Sequence, residues 1–279
     1  MVMILKERVI ENRIMGDPIQ MLYKMVISGQ AAQTATPGQF VHLQVADSNE
    51  PLLRRPLSIA GIDKNTEEVT IYYKVIGKGT ELLTRIKENE YISVLGPLGT
   101  GFTVPDSGEL LLVAGGIGIF PLLSLIQAVD KEKVKLKLLW GGENKQFIES
   151  AGLIDIEKMG VNLDMSTLDG SLGTKGLVTD LLESYLGDNT DTIAKPKDNG
   201  KQNLRVATCG PKGMLQAVTK ICLGHNVPVE VSLEERMACG IGACLGCVCT
   251  VKDLEGNLKR KRVCKEGPVM DGKEVVWDE

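Results

Sequence analysis

Along the first hundred residues, hydrophobic and polar positions alternate in short runs. Residues 39–45 (QFVHLQV) and 69–75 (VTIYYKV) alternate or carry β-branched and aromatic side chains. Turn signals at Thr36-Pro37-Gly38 and at 61–65 (GIDKN) separate these runs. That spacing predicts a small antiparallel β-barrel. One short helical pattern interrupts it at 80–86 (TELLTRI), with Thr80 as its expected N-cap. From Leu110 the period changes. Strands expected at 110–114, 134–140, 162–165 and 204–208 alternate with helices expected at 121–129, 177–185 and 214–223. Alternation of this kind predicts βαβ units and a parallel sheet covered on both faces. The polar, turn-rich stretch 187–203 reads as a surface loop. From about residue 227 the chain turns rich in cysteine and glycine, with short strand-like pieces. Three units are therefore expected: a β-barrel over 1–105, a doubly wound α/β domain over 106–226 and a small metal-bearing domain over 227–279.

Length and composition agree with several units. At 279 residues the chain exceeds the usual size of one core, and 43% hydrophobic with 24% charged residues is ordinary for a globular protein. Aromatics make up only 4%, so the cores must rest on Leu, Ile and Val. A net charge of −4 argues against a nucleic-acid groove or an anionic membrane surface as partner. Residues 110–129 carry no charge and are long enough to span a bilayer, but Gly115, Gly116, Gly118 and Pro121 break the stretch. It reads as strand, turn and helix. The N-terminus carries acids and lacks a long apolar run with a cleavage site, so no secretory signal is expected. The expected compartment is the cytoplasm, where seven cysteines argue for metal or redox chemistry over disulfides.

The most specific motif is Cys239-Gly-Ile-Gly-Ala-Cys244-Leu-Gly-Cys247, followed after sixteen residues by Cys264. This C-x4-C-x2-C…C spacing is that of plant-type [2Fe–2S] ligands. A tight loop must aim three thiolates at one small inorganic core, and Gly240, Gly242 and Gly246 let the backbone curl and turn N–H groups toward sulfur. A four-cysteine zinc site would usually show two C-x2-C pairs, and only Cys244 and Cys247 form one. Cys249 alternates onto the face of Cys247 as a neighbouring or packed thiol, and Cys222 falls on a helical pattern as core.

Weaker signals precede it. Arg54-Arg55-Pro56-Leu57-Ser58 offers guanidinium groups for a pyrophosphate and a hydroxyl for a flavin ring. Tyr72-Tyr73-Lys74 offers rings and a cation, and Gly77-Lys78-Gly79-Thr80 opens a helix whose N–H groups favour phosphate. Gly115, Gly116 and Gly118 sit where a dinucleotide loop belongs, after the first strand of the α/β unit, although the run G-G-x-G-x-x-P departs from G-x-G-x-x-G. Cys209-Gly210-Pro211 ends the strand at 204–208, so both loops are expected beyond the carboxyl ends of strands, where such sheets bind ligands. No acidic or basic residue is securely placed at the ribose, so the residues themselves leave NAD and NADP open.

In this order, R-P-L-S, G-x-G-T, G-P-L-G-x-G-F, G-G-x-G-x-x-P and C-G-P resemble the ferredoxin–NADP reductase superfamily. The tail SLEERMACGIGAC at 232–244 is similar to that of the electron-transfer subunits of bacterial NAD-linked (type B) dihydroorotate dehydrogenases. The resemblance spans nearly the whole chain. It implies FAD held by Arg55, Pro56, Leu57 and Ser58, by Tyr72, Tyr73 and Lys74, and by Gly79 and Thr80. It implies NAD at Gly115, Gly116, Gly118, Cys209, Gly210 and Pro211, and a [2Fe–2S] cluster on Cys239, Cys244, Cys247 and Cys264. Where Leu57 stands the superfamily usually has tyrosine, so a stacking ring must come from Tyr72 or Tyr73. Also implied is a separate FMN-containing catalytic subunit, in a heterotetramer of two of each, which oxidises dihydroorotate in pyrimidine biosynthesis. Electrons would then cross this chain through the cluster and FAD to NAD(+), and no residue here would be catalytic toward dihydroorotate. A reductase subunit of another redox complex, of sulfide dehydrogenase or hydrogenase type, is the alternative. Cys239 speaks against transhydrogenase relatives, which often carry Asp there, and a zinc-stabilised binding module is the third reading. His42 and His225 are expected to be structural, and the basic run 259–262 a solvated face or a docking patch.

Overall fold

The computed structural model describes residues 4–46, 50–188, 204–253 and 255–277. Its first part is a closed six-stranded antiparallel barrel. The strands are β1 (Ile4–Ile14), β2 (Leu22–Ser28), β3 (Phe40–Leu43), β4 (Arg55–Asp63), β5 (Glu68–Lys74) and β6 (Tyr91–Leu98), in the order β1-β2-β5-β4-β3-β6. A helical turn α1 (Ala31–Thr34) and the six-residue α2 (Lys78–Leu83) lie in its connections. Strand alternation fills the interior with Met25, Ile27, Val41, Leu43, Ile59, Ile71, Tyr73 and Val94, while the intervening residues face outward. Thr80 does not cap α2 as expected. Gly77 is the N-cap, and Thr80, three residues on, accepts from the Gly77 N–H (3.3 Å) and donates to the Gly77 carbonyl (3.0 Å).

The second part is the parallel sheet expected from the alternating pattern. Strands β7 (Gly108–Gly115), β8 (Val134–Gly142), β9 (Asn162–Thr167), β10 (Thr174–Lys175), β11 (Leu204–Cys209) and β12 (Val229–Ser232) are all parallel to their neighbours within this set. The helices are α3 (Ile119–Ala128), α4 (Lys145–Ser150), α5 (Leu153–Lys158), α6 (Val178–Asp188) and α7 (Lys212–Gly224). The sequence reading lacked α4 and α5, whose six residues each are too few for a clear helical period. Of the expected surface loop at 187–203, residues 187 and 188 finish α6 and the rest lies outside the described residues.

The segment after residue 227 is woven into this sheet. Beyond the hairpin of β13 (Val248–Lys252) and β14 (Leu258–Arg262), β15 (Val269–Asp271) pairs antiparallel with β12 and forms the seventh strand.

Helix α3 joins the units. Eight of its ten residues are buried, because one side packs on the sheet and the other on β4 of the barrel. Leu122, Leu125 and Ile126 are fully buried, and each such side chain contributes about 1.5–3 kcal/mol. This two-sided burial explains why the charge-free stretch at 110–129 is so apolar. Among the described residues no helix is long and apolar enough to cross a membrane.

Candidate functional site

The expected site residues fall in three groups: on the barrel, beyond the carboxyl ends of the sheet strands, and in the cysteine loop. On the barrel, Leu57 and Ile59 of β4 turn toward the interior, so Pro56 and Ser58 turn outward by alternation. The Arg55 guanidinium lies over Gly79, where a Cβ would stand 2.1 Å from Nε. The first and third of the expected flavin motifs therefore meet. The two arginines differ in use. Arg54 donates to the Ser93 carbonyl (2.9 Å), Ser93 Oγ (2.8 Å) and Gln44 Oε1 (3.2 Å), which ties it into the barrel wall. Among the described residues Arg55 donates only to the backbone carbonyls of Leu53 and Arg54, and it stays half-exposed. At six residues α2 carries little dipole, so a phosphate here depends on Arg55 rather than on the helix end.

The structure also separates the tyrosines. Tyr73 points into the barrel, stacks on Tyr23 at 5.4 Å and donates its hydroxyl to Asn12 Oδ1 (3.0 Å), so it is not brought to the site. Tyr72 faces outward and meets Phe120 of α3, with ring centroids 4.9 Å apart. Ile59 pairs with Ile71 across β4 and β5, which sets Ser58 and Tyr72 side by side on the outer face. Lys74 Nζ lies 5.9 Å from the Phe147 ring of α4. Burial raises the Tyr72 phenol above its ordinary value, so it stays neutral.

The nucleotide loops touch. Strands β7 and β11 are neighbours, with Ala114 opposite Cys209, so Gly115, Gly116 and Gly118 lie beside Cys209, Gly210 and Pro211 beyond their carboxyl ends. A Cβ on Gly118 would stand 2.3 Å from the Cys209 carbonyl oxygen and 2.7 Å from the Gly210 nitrogen. Both are backbone atoms, so only glycine permits this approach. The buried Trp140 donates its indole N–H to the Gly116 carbonyl (3.1 Å) and pins the loop. Burial pushes the Cys209 thiol up to about 12. Gly118→Ala is expected to force the two loops apart, lower stability by about 1–3 kcal/mol and raise the KM for NADH. A melting curve and steady-state kinetics with an artificial electron acceptor check this.

The cysteines form two pairs. The Cys244 N–H approaches Cys239 Sγ at 3.4 Å, and the Cys264 N–H approaches Cys247 Sγ at 3.4 Å. Gly242 N–H lies 3.1 Å from Cys264 Sγ, and Gly246 N–H 3.4 Å from Cys244 Sγ. Cys239 and Cys244 are the more exposed pair, and Cys247 and Cys264 are buried. Among the described residues no three His, Cys, Asp or Glu side chains form a group that could hold a single metal ion. Two separated thiol pairs match a core of two irons, each taking one pair, and backbone donors aimed at sulfur suit its negative charge. Burial acts to raise the Cys239 thiol, but hydrogen bonds from the backbone of Ile241, Cys244 and Ala243 outweigh it and hold the group down to about 6. Burial and the neighbouring Cys247 push Cys264 up to about 12.

Cys249 packs 3.6 Å from Met270 Sδ as a half-buried thiol, and Cys222 is core. In the basic run at 259–262, Lys259 pairs with Asp253, Lys261 with Glu274 and Arg262 with Glu266. The sequence reading did not foresee that Arg262 also donates to the Gly242 carbonyl at 2.8 Å. The guanidinium thus braces the cysteine loop against Glu266, and its place two residues before Cys264 was the available clue. Arg262→Ala is expected to leave folding intact and reduce cluster retention by about 10-fold or more, read as iron content after challenge with a chelator.

A six-stranded barrel joined to a parallel sheet with paired glycine loops, and four cysteines gathered by one loop and the residue that closes it, define a flavin reductase with an attached iron–sulfur domain. Residues 234–276 match the model of the iron–sulfur cluster binding domain of dihydroorotate dehydrogenase B. The chain is 37% identical over 248 residues to the dihydroorotate dehydrogenase B (NAD(+)) electron transfer subunit of Desulforamulus reducens, covering 88% of this chain and 89% of that protein. Its counterpart in Clostridium acetobutylicum is 38% identical, covering 98% of this chain and 97% of that protein. Among solved structures, a chain described in work on flavin-based electron bifurcation by the NADH-dependent reduced ferredoxin–NADP oxidoreductase superposes with a TM-score of 0.79 at 27% identity. It covers 98% of this chain and 90% of that chain. The chain belongs to the family of dihydroorotate dehydrogenase B (NAD(+)) electron transfer subunits. It is an oxidoreductase component whose cofactors are FAD, a [2Fe–2S] cluster and NAD.

Proposed function

We propose that this chain carries electrons from a separate FMN-containing catalytic subunit, which oxidises dihydroorotate, to NAD(+). The observation that carries the reading is the packing of the inner cysteine pair. Cys247 and Cys264 share one core with Phe40, Leu95 and Leu98 from the outer wall of the barrel, so a cluster there lies against the unit that holds the flavin.

When bound, FAD exchanges a hydride with the nicotinamide and single electrons with the cluster, which lets a one-electron carrier serve a two-electron acceptor. The residues supply the rest. Arg55 over Gly79 is the expected clamp for the pyrophosphate, with Pro56, Leu57, Ser58 and Thr80 shaping the strand and loop beside it. Ser58 presents its hydroxyl, and Tyr72 its ring, on the outer face where α3 closes the site through Phe120 and excludes water. Lys74 adds a cation at the mouth, while Tyr73 serves by holding the barrel interior. Gly115, Gly116, Gly118, Cys209, Gly210 and Pro211 form the floor for NAD. Cys239 with Cys244, and Cys247 with Cys264, would each hold one of the two irons, a division supported by the contacts within each pair.

The reading assigns FAD to residues 1–105, the nucleotide to 106–226 and the cluster to 227–279, with β12 and β15 anchoring the third unit in the sheet of the second. The exposed Ile241 and Leu245 rim the outer cysteine pair and suit burial beneath the catalytic subunit, in a heterotetramer of two of each. All seven cysteines are free thiols, which suits the reducing cytoplasm. The test is reconstitution with the FMN subunit. Dihydroorotate-dependent NADH formation that requires both chains supports the reading. NADH oxidation that reduces other iron–sulfur acceptors but never couples to dihydroorotate moves the chain to a different redox complex.

A further inference from the structure

The sequence marks His42 as structural, yet it occupies an unusual place. It lies on β3 with its side chain on the outer face of the barrel, beside Phe40 and opposite Pro56 of the flavin strand. It is fully buried, and neither ring nitrogen has a hydrogen-bond partner among the described residues. Leaving a polar group unpaired in this way costs about 1–3 kcal/mol, so a buried orphan of this kind points to a partner that joins later.

The ring is aimed at the cysteine loop. Gly240, immediately after Cys239, has φ +70°, and a Cβ there would stand 2.5 Å from His42 Nδ1. The barrel histidine therefore presses its Nδ1 edge on the loop where only a glycine leaves room for it. Burial holds its pKa down to about 4, against the neighbouring Arg54 backbone, which favours the protonated ring, and with the positive charges of Arg54 and Arg55 adding to the lowering, so the imidazole is neutral and keeps one N–H.

We propose that His42 is a positioning residue for the iron–sulfur cluster, contributing an imidazole N–H from the flavin barrel to the sulfur side of the loop at 239–244. An N–H aimed at the sulfurs favours the form carrying the extra electron and raises the reduction potential. The same residue links the flavin strand to the cluster loop, because β3 pairs His42 with Pro56 while its ring meets Gly240. No ligand bond to iron is involved, and the four cysteines remain the ligands.

This inference rests on the cluster reading above. Its test uses the full chain loaded with FAD and cluster, in complex with its catalytic subunit and labelled with 15N-histidine. Pulsed EPR of the reduced cluster is expected to show a weak histidine nitrogen coupling that His42→Leu removes. His225, the only other histidine in this chain, caps the far end of α7, and the difference between the two spectra excludes histidines of the partner. His42→Leu is also expected to lower the midpoint potential of the cluster, while His42→Asn, whose amide nitrogen falls near the Nδ1 position, restores it. A loaded His42→Leu protein with unchanged potential and unchanged nitrogen coupling overturns the proposal. Should His42→Leu fail to take up iron, His42→Asn decides: loading at the unsubstituted potential supports the donor role, and failure to load or a lowered potential overturns it. Absence of any reduced-cluster EPR signal from the unsubstituted protein overturns the cluster reading, and this inference with it.

Discussion

Replacing Cys264 with serine is expected to abolish the cluster while sparing the flavin. Cys264 is buried, and its sulfur takes an N–H from Gly242 and shares a pair with Cys247. A serine hydroxyl at this position is a harder, far less acidic ligand, and loss of one thiolate leaves an iron without its pair. Cys264→Ser should therefore purify yellow, with flavin absorbance, a small fraction of the iron and no EPR signal on reduction. NADH should still reduce its flavin, because the barrel and the nucleotide loops are untouched. Transfer to or from the catalytic subunit should be lost. Retention of full coupling in an iron-free Cys264→Ser protein would remove the cluster from the electron path.

The converse lesion is Arg55→Ala. Arg55 joins two of the expected flavin motifs, because its guanidinium rests on Gly79, and among the described residues it donates only to the backbone carbonyls of Leu53 and Arg54. A hydrogen bond to a charged group contributes about 1.5–3 kcal/mol, so its removal is expected to weaken FAD binding by roughly 10- to 100-fold. The variant should lose flavin on gel filtration, keep its iron and regain activity when excess FAD is added. Arg54→Ala offers the contrast. Its bonds to Ser93 and Gln44 hold the barrel wall, so it should lower the melting temperature more than FAD affinity. Equal flavin loss in the two variants would contradict the division of labour between these neighbours.

The period of the chain carried most of the architecture. Alternating residues such as 69–75 and apolar runs such as 110–114 predicted strands that formed with ends shifted by one or two residues. The four-cysteine spacing was equally legible, because ligand spacing is a local property of the loop. What stayed hidden depends on distant contacts. Short helices α4 and α5 have too few turns to show a period, and β15 joins β12 only because the chain returns to the sheet. Tyr72 and Tyr73 are adjacent letters with opposite fates, one facing α3 and one inside the barrel, and only the register of β5 separates them. Arg54 and Arg55 divide in the same way. His42 and Arg262 meet the cysteine loop from β3 and β14; the place of Arg262 two residues before Cys264 hints at its contact, whereas no spacing in the sequence reveals that of His42.

The central claim is that one chain joins NAD, FAD and a [2Fe–2S] cluster in a single electron path. The most direct measurement is an anaerobic titration of the purified protein with NADH, followed by visible absorption and by EPR of the frozen samples. The account predicts flavin and iron–sulfur bands that bleach together as NADH is added, with a reduced-cluster EPR signal rising in step. A colourless protein that keeps zinc through purification, or flavin that bleaches while the iron–sulfur bands stay oxidised at every NADH level, would contradict it.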